Sequence, residues 1–359
     1  MNITKIYHYF PDHCNDPITN SEPILYFIEN SQHIRVGVMN FGAAVVFAEA
    51  PDRTGNPKNI ALSLERFEGY SQGGTFAGET LGPVAGRIRD GLLPIAGQEY
   101  RLPQNESGNT LHSGPENLSR TFWNATRAFC EDGAAGVVFE QRRQDGEGGF
   151  PGDRIFSVCY TLTEENTLQI NYQASTSKTT WINLSSHLYW NLSGDFTAPA
   201  DSQLLRIRAD RVLFNNGMHL PVSCESVAGT PFDFRRPCSV ASAVSRNAEH
   251  EQLLNARGYN NAYLLSGGTG SAAELTDPVS GRSVTVETDY PCLVFYSGGY
   301  LGDAGYTPDR QKIAAGSAYA LEAQYLPDAP HLQGDAAPFL RPGETYRKFI
   351  SFRFGMQNC

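Results

Sequence analysis

Residues 153–163, DRIFSVCYTLT, and residues 167–176, TLQINYQAST, decide the fold of this chain. In both segments apolar side chains alternate with polar or β-branched ones. This two-residue period is typical of a β-strand with one buried face, because successive side chains of a strand point to opposite faces of the sheet. The two segments therefore predict two β-strands.

Strand-like runs of the same kind extend over the whole chain. Five more lie at residues 33–48, 282–289, 292–298, 318–325 and 347–354. The 35 glycines and 21 prolines interrupt the sequence so often that short strands and tight turns are favoured over long helices. The best candidate helix covers residues 239–257 and ends before Gly258. We expect one large, mostly antiparallel β structure, all-β in class, with a single domain over residues 1–359.

The charge of the chain limits its partners. It has 28 Lys and Arg residues against 38 Asp and Glu residues, a formal net charge of −10. A net negative surface repels phosphate backbones and anionic lipid head groups, so we expect no nucleic acid or membrane partner and favour a small neutral ligand. No apolar run approaches the roughly 20 residues of a membrane-spanning helix. The polar N-terminal segment, interrupted by Pro11, lacks the apolar core of a secretory signal.

The cysteines indicate a reducing compartment. They are scattered, with no CxxC pair and no metal-ligand spacing, at positions 14, 130, 159, 224, 238, 292 and 359. An odd, scattered set in a chain of this length favours reduced thiols. We therefore expect a cytoplasmic protein, and we expect it to be a monomer or a weak homodimer.

The first candidate site segment is residues 185–192, SSHLYWNL. If it forms a strand, Ser185, His187, Tyr189 and Asn191 share one face, and the large apolar residues between them occupy the other. An imidazole, a phenol and an amide on one face can hydrogen-bond to hydroxyl groups of a ligand. A solvated sheet face with a structural histidine is the alternative.

The second candidate segment is residues 320–328, ALEAQYLPD. A strand here places Glu322 and Gln324 on one side and Leu321, Ala323 and Tyr325 on the other. A carboxyl among apolar neighbours is partly desolvated, which raises its pKa and makes it a better base. A surface glutamate paired with an arginine is the alternative.

The third candidate combines Arg87, in Gly86-Arg87-Ile88, with His112, in Leu111-His112-Ser113-Gly114. Together they offer several fixed donors that suit a polyol or an anion, although both could instead bind loop carbonyls. Other site classes lack their motifs: the chain has no GxGxxG after a strand, no GxxxxGK[ST], no HExxH and no GxSxG. Five aromatic residues are candidates for stacking on a sugar: Trp190, Phe232, Tyr296, Tyr300 and Tyr306.

Read in order, the chain resembles the aldose 1-epimerase (galactose mutarotase) family over nearly its whole length. The segments that carry the resemblance are residues 40–43 (NFGA), 51–53 (PDR), 86–88 (GRI), 111–114 (LHSG), 145–152 (DGEGGFPG), 187–192 (HLYWNL), 229–234 (GTPFDF), 321–324 (LEAQ) and 340–346 (LRPGETY). The order and spacing of the segments make the signal specific. The resemblance implies a large single-domain antiparallel β-sandwich with a sugar cleft on its concave face.

The resemblance also implies an activity, the interconversion of the α and β anomers of a free hexose or related aldose. By it, His187 would be the general acid and Glu322 the general base. They lie far apart in the sequence, so only the fold could bring them to opposite edges of one pyranose. An adjacent carboxylate, such as Glu322 itself, would help to keep His187 protonated. The residues implied to bind the sugar are Arg87, His112, Tyr189, Asn260 and Gln324. Neither a metal nor an organic cofactor is expected, because the reaction moves protons and no electrons.

Three departures from the family pattern touch the implied sugar-binding wall. Asn260 stands where the family usually has an aspartate, and Val294 where many members have a glutamine. In the family's ANRI-type run, this chain has Gly86, with Pro83 replacing a frequent arginine. We therefore expect the acid–base pair to persist and the preferred sugar to differ.

Three other functions stay open at this point. One is a carbohydrate-binding protein without useful turnover. A second is a sugar-phosphate mutarotase, which would need cations at the mouth of the cleft, for which Arg142-Arg143 and Arg235-Arg236 are candidates. A glycosidase would need a second carboxylate within roughly 5–10 Å of Glu322, and the candidates for it are Asp195, Asp233 and Asp328.

Overall fold

The computed structural model describes residues 1–7, 10, 22–267 and 270–357, and within them the chain consists mainly of β-strands. In chain order the strands are β1 (Asn2–Ile6), β2 (Leu25–Glu29), β3 (Arg35–Met39), β4 (Ala44–Pro51), β5 (Pro57–Asn59), β6 (Thr80–Leu81), β7 (Arg87–Ile88), β8 (Leu92–Ile95), β9 (Gln98–Arg101), β10 (Thr110–Leu111), β11 (Asn124–Glu131), β12 (Ala134–Arg143), β13 (Arg154–Thr163), β14 (Thr167–Thr176), β15 (Ser185–Ser186), β16 (Tyr189–Trp190), β17 (Leu204–Ile207), β18 (Ala209–Asn215), β19 (Pro221–Ser226), β20 (Cys238–Ser239), β21 (Asn260–Leu265), β22 (Ala273–Thr276), β23 (Arg282–Thr288), β24 (Cys292–Tyr296), β25 (Tyr319–Gln324) and β26 (Tyr346–Met356). The helices are α1 (Phe67–Ser71), α2 (Val240–Arg246), α3 (Glu251–Ala256) and α4 (Ala329–Gln333). The all-β prediction is confirmed.

The largest sheet has nine strands in the order β11-β12-β13-β14-β26-β23-β22-β17-β20. Residues 153–163 and 167–176 contain its neighbouring strands β13 and β14, which pair antiparallel. Their alternation buries one face completely, including Phe156, Val158, Leu168 and Ile170. The C-terminal strand β26 lies in the middle of this sheet, between β14 and β23.

Two further sheets complete the sandwich. The five strands β1 to β5 follow one another as neighbours, and a six-stranded sheet has the order β16-β25-β24-β21-β18-β19. One continuous core joins all three sheets, since Val38 of β3, Leu321 of β25 and Phe352 of β26 are buried in the same cluster. Three short ribbons, β6–β15, β7–β10 and β8–β9, add to this frame.

The candidate helix at residues 239–257 is two helices, α2 and α3, so the prediction of a single helix is wrong. Local hydrogen bonds end one helix and begin the next: the Asn247 side chain donates to the Ala243 carbonyl, and His250 Nδ1 accepts from the Gln252 amide. Such side-chain bonds offer the backbone an alternative to helical bonding.

The five cysteines in the described part of the chain are free thiols, as the sequence predicts; Cys14 and Cys359 lie outside it. Much of the N-terminal segment, positions 8, 9 and 11–21, also lies outside the described residues. Every helix within the described ranges is too short or too polar to cross a bilayer.

Candidate active site

A cavity of about 500 Å³ opens over one face of the six-stranded sheet, within the size range of small-molecule sites. The seven residues that the family resemblance implies as catalytic or sugar-binding all line it: Arg87, His112, His187, Tyr189, Asn260, Glu322 and Gln324. They come from distant parts of the chain, so the fold brings them together.

The register of three neighbouring strands builds the floor of the cavity. Glu322 of β25 lies opposite Val294 of β24, and Val294 lies next to Ala262 of β21. Two residues further along the same two strands, Asn260 of β21 lies opposite Tyr296 of β24. Because side chains alternate between faces, these five residues point to the same side of the sheet, and all of them line the cavity.

His187 reaches the cavity because its segment is not one continuous strand. Residues 185–186 form β15 and residues 189–190 form β16, each paired with a different partner strand. At the break, Gly78 donates its amide to the His187 carbonyl, while His187 donates its own amide to the carbonyl of Glu79. Two residues thus lie opposite one, the arrangement of a β-bulge with glycine at its first position, which re-aims a side chain.

The short ribbon β7–β10 places Arg87 beside His112. Leu111 pairs with Arg87, and His112 follows directly after β10. The Gly86 amide donates to His112 Nδ1 at 3.1 Å, so the neutral ring carries its proton on Nε2 and is a hydrogen-bond donor. Burial, followed by the charges of His187 and Arg87, keeps the pKa of His112 well below its usual value. His112 is therefore a neutral donor in the cavity wall.

The two reactive candidates are close neighbours. His187 Nε2 lies 3.6 Å from Glu322 Oε1, which is too long for a direct hydrogen bond. Both side chains are buried, and His187 Nδ1 has no hydrogen-bond partner among the described residues. The two groups are thus side by side in one cavity, and how they meet the edges of a sugar ring stays a prediction. A pair this close can act on two atoms bonded to one carbon.

Burial shifts the pKa values of this pair in opposite directions. It raises the pKa of Glu322 to about 8, against a smaller lowering effect of the Arg87 charge, and it lowers the pKa of His187 to about 4. At neutral pH the free protein therefore has a protonated Glu322 beside a neutral His187. These directions favour the neutral form of each group in the free protein, because burial disfavours the charged forms.

Comparison with known proteins identifies the family of this chain. The family model described as aldose 1-epimerase matches residues 25–353. The chain belongs to the aldose 1-epimerase family. It is 31% identical to the galactose mutarotase of Bos taurus, covering 91% of this chain and 92% of that protein, and 31% identical to the aldose 1-epimerase of Escherichia coli K12, covering 92% and 94%. A crystal structure of a galactose 1-epimerase from Lactobacillus acidophilus superimposes with a TM-score of 0.85 at 26% identity, covering 99% of each chain.

Of the departures from the aldose 1-epimerase pattern, Gly86, Asn260 and Val294 line the cavity. Pro83 does not, so its expected place in the sugar-binding wall is wrong. The Asn260 side chain makes no hydrogen bond with the described part of the protein, whereas Asn261 donates to the Leu213 carbonyl and to Gln252. Asn260 is therefore the amide that is free to meet a ligand.

Other expectations fall outside the cavity of this aldose 1-epimerase family member. Asn191 belongs to a buried network, in which it donates to the carbonyls of Asp195 and Ser317, and Ser185 donates to the Ala323 carbonyl. Of the five aromatic candidates, Tyr296 and Tyr300 line the cavity. The candidates that do not line it are Trp190, Phe232 and Tyr306 among the aromatic residues, Asp195, Asp233 and Asp328 among the carboxylates, and the two arginine pairs.

Sequence reasoning missed several residues of the lining, including Phe76, Glu106, His219 and Asp303. Phe76 packs edge-on against His112, with ring centroids 4.8 Å apart. Glu106 lies in the turn Asn105-Glu106-Ser107-Gly108 directly ahead of β10, and this turn next to the LHSG segment is a signal that could have identified it. No group of three or more His, Cys, Asp or Glu side chains in the described residues has the arrangement of a metal site.

Proposed function

We propose that this protein is an aldose 1-epimerase, an isomerase that interconverts the α and β anomers of a free hexose or related aldose. The observation that carries the proposal is the 3.6 Å separation of His187 and Glu322 in one cavity of a chain that belongs to the family. Both oxygens that must gain or lose a proton in this reaction are bonded to the anomeric carbon. An acid and a base for them must therefore be near neighbours.

The proposed reaction opens and closes the sugar ring. The Glu322 carboxylate takes the proton of the C1 hydroxyl, the bond between C1 and the ring oxygen breaks, and the His187 imidazolium gives a proton to the ring oxygen. The resulting aldehyde rotates about the C1–C2 bond, and the reverse proton transfers close the ring on its other face. Each positioned acid or base typically contributes about 10²–10⁴-fold to the rate.

The proton must first move from Glu322 to His187. The neutral pair of the free protein and the ion pair that reacts are tautomers with the same number of protons, so no exchange with solvent is needed. Hydrogen bonds from sugar hydroxyls to the carboxylate favour its charged form and lower its pKa. Binding of the sugar therefore favours the reactive tautomer.

The remaining polar groups of the cavity would hold the sugar. The Tyr189 hydroxyl donates to the Thr75 carbonyl and so presents its lone pairs as acceptors. Gln324 Oε1 is buried without a partner among the described residues. Together with the Asn260 amide and the His112 donor, these groups supply both donors and acceptors, as a polyol requires. Arg87 adds the guanidinium donors that Glu106 leaves free.

The test is the rate of anomer exchange of fresh glucose and galactose, followed by polarimetry or by NMR. Glu322→Gln keeps the shape of the side chain and removes the base, so we expect the rate to fall by about 10²–10⁴-fold with sugar binding retained, and His187→Asn to act similarly. The matched control is Glu79→Gln, because Glu79 is equally buried but does not line the cavity.

A carbohydrate-binding protein without turnover would leave the relaxation of the anomers unchanged in the wild type, which would refute the proposed activity. Full activity of Glu322→Gln would refute the role of the base alone. We further propose a cytoplasmic location and a monomer or weak homodimer, the latter to be measured by sedimentation over a range of protein concentrations.

A further inference from the structure

Arg87 is the cation of the cavity, and its charge is already paired. Its Nε donates to Glu106 Oε2 at 2.5 Å, and its Nη2 donates to Glu106 Oε1 at 2.8 Å. This two-point geometry is the one by which arginine recognises carboxylates and phosphates. Glu106 therefore occupies one edge of the guanidinium and compensates the positive charge that would attract an anionic substituent of a ligand.

The other charged groups of the lining do not favour an anion. Within the described lining, Arg87 is the one side chain that is always cationic, and the carboxylate residues are Glu106, Asp303 and Glu322. Burial lowers the pKa of each of the three histidines of the lining, His112, His187 and His219. With Arg87 paired, the lining offers no uncompensated positive charge among its described residues.

We propose that Glu106 is a specificity-determining residue that, by pairing with Arg87, restricts the cavity to uncharged aldoses. Without the Glu106 charge, Arg87 is free to bind the phosphate or carboxylate of an anionic aldose by the same two-point geometry. The proposal rests on the proposed function of this cavity and assigns its substrate class to one ion pair.

The chain offers a closely matched control for this ion pair. Arg143 Nη1 donates to Glu147 Oε1 at 2.6 Å, and the exposed fractions of the two side chains are 14% and 31%. For Arg87 and Glu106 they are 13% and 31%. Neither Arg143 nor Glu147 lines the cavity, so Glu147→Gln removes the same charge at the same burial away from the ligand.

The experiment compares glucose with glucuronate and with glucose 6-phosphate as substrates of the wild type, Glu106→Gln and Glu147→Gln, with anomer exchange measured by NMR. In Glu106→Gln we expect kcat/KM for each anionic sugar, relative to glucose, to rise about tenfold or more. The attraction between an unpaired guanidinium near the surface and an anion exceeds the free energy that corresponds to a tenfold change. The gain should shrink with added salt. Glu147→Gln should keep the ratio of the wild type.

The role of Glu106 would be overturned if Glu106→Gln left the ratio of kcat/KM for anionic sugars to that for glucose unchanged. It would also be overturned if the wild type converted the anionic sugars as efficiently as it converts glucose. Glu106→Ser serves as a second variant if Glu106→Gln does not fold. If the wild type exchanges no anomers at all, the proposed function fails. The role of Glu106 is then decided by the binding constants of the same three sugars, measured by calorimetry, where the same change in ratio is expected.

Discussion

At the scale of single residues, two glutamates share an unusual environment and differ in what surrounds them. Glu79 and Glu322 are both buried, and burial raises the pKa of each to about 8. Glu322 lines the cavity. Both carboxyl oxygens of Glu79 lack a hydrogen-bond partner among the described residues, and Arg120 Nη1 approaches only to 4.0 Å. Glu79 therefore lowers the stability of the fold and lies outside the lining of the cavity.

Glu79→Gln should stabilise the protein increasingly as the pH rises. The folded pKa of Glu79, about 8, lies above the ordinary value of 4.5, so between these values the unfolded chain has lost a proton that the folded chain keeps, and stability falls with pH. Glutamine removes this penalty, which is absent below pH 4.5 and is on the order of 3 kcal/mol at pH 7. Urea unfolding of both proteins at pH 5 and pH 8 measures it; an equal difference at the two pH values would contradict the prediction.

The pH profile of kcat/KM should have a broad plateau between about pH 4 and pH 8. The pair of His187 and Glu322 carries one proton between the pKa of His187, about 4, and that of Glu322, about 8. Below this range both groups are protonated and no base remains, while above it both have lost their protons and no acid remains.

Polarimetry over this range, with the spontaneous rate subtracted, checks the profile. With ordinary pKa values of 4.5 and 6.5 for the two groups, activity would already fall above about pH 6.5. A fall of kcat/KM that begins near pH 6.5 instead of near pH 8 would show that Glu322 is ionised in the free protein.

The residues that line the cavity could be predicted from the sequence better than their charges. The family pattern led to His187 and Glu322 because it preserves residue type and order along the chain. Their protonation states depend on how deeply the folded protein buries each group, which no local pattern contains. Glu106 was missed for a related reason, since its partner Arg87 lies 19 positions away and only the ribbon β7–β10 brings the two together.

At the scale of elements, strand alternation correctly predicted that Glu322 and Gln324 share a face. It did not predict which strands lie beside them, because the partners of β25 are chosen by hydrogen bonds between distant segments. It also failed at residues 185–192, where one continuous strand was expected. The β-bulge opposite His187 interrupts that strand, and nothing in the local alternation marks the bulge.

Gly78→Ala should damage both stability and activity, because Gly78 is the glycine of this bulge. Its φ is +70°, and a Cβ atom would lie 1.8 Å from the Val45 carbonyl oxygen. We expect a loss of about 3 kcal/mol or more in the free energy of unfolding. Because the Gly78 amide binds the His187 carbonyl, the anomer exchange rate should also fall under conditions where the variant is folded.

Gly97→Ala is the matched control for this prediction. Gly97 lies in the tight turn between β8 and β9 with a φ of +80°, and a Cβ atom there would meet nothing within 4 Å. Only the backbone strain remains, about 1–2 kcal/mol, and the exchange rate should stay at the wild-type value. If both variants lost equal stability, the close contact at Gly78 would not be the cause.

At the scale of the whole molecule, the strand-like runs and the frequent glycines and prolines were enough to predict the class of fold, and the family resemblance predicted the sandwich. The order of the strands was beyond both. β26 is the last strand of the described chain yet lies in the centre of the nine-stranded sheet, between β14 and β23. The pairing of β23 with β26 joins segments about 70 residues apart in the chain, and contacts of that range leave no periodic signal in either segment.

We propose that residues 1–359 form one domain, which predicts that the protein unfolds in a single cooperative transition. The sheets share one core, since Val38 of the five-stranded sheet and Val286 of the nine-stranded sheet are both fully buried in one cluster. Val38→Ala and Val286→Ala should each cost about 2 kcal/mol and lower the midpoint of the same transition. Far-ultraviolet and near-ultraviolet circular dichroism should report coincident curves for each variant. Two transitions, each shifted by only one of the variants, would instead mean that the sheets unfold as separate units. Sugar binding measured between the two transitions would then show which unit contains the cavity.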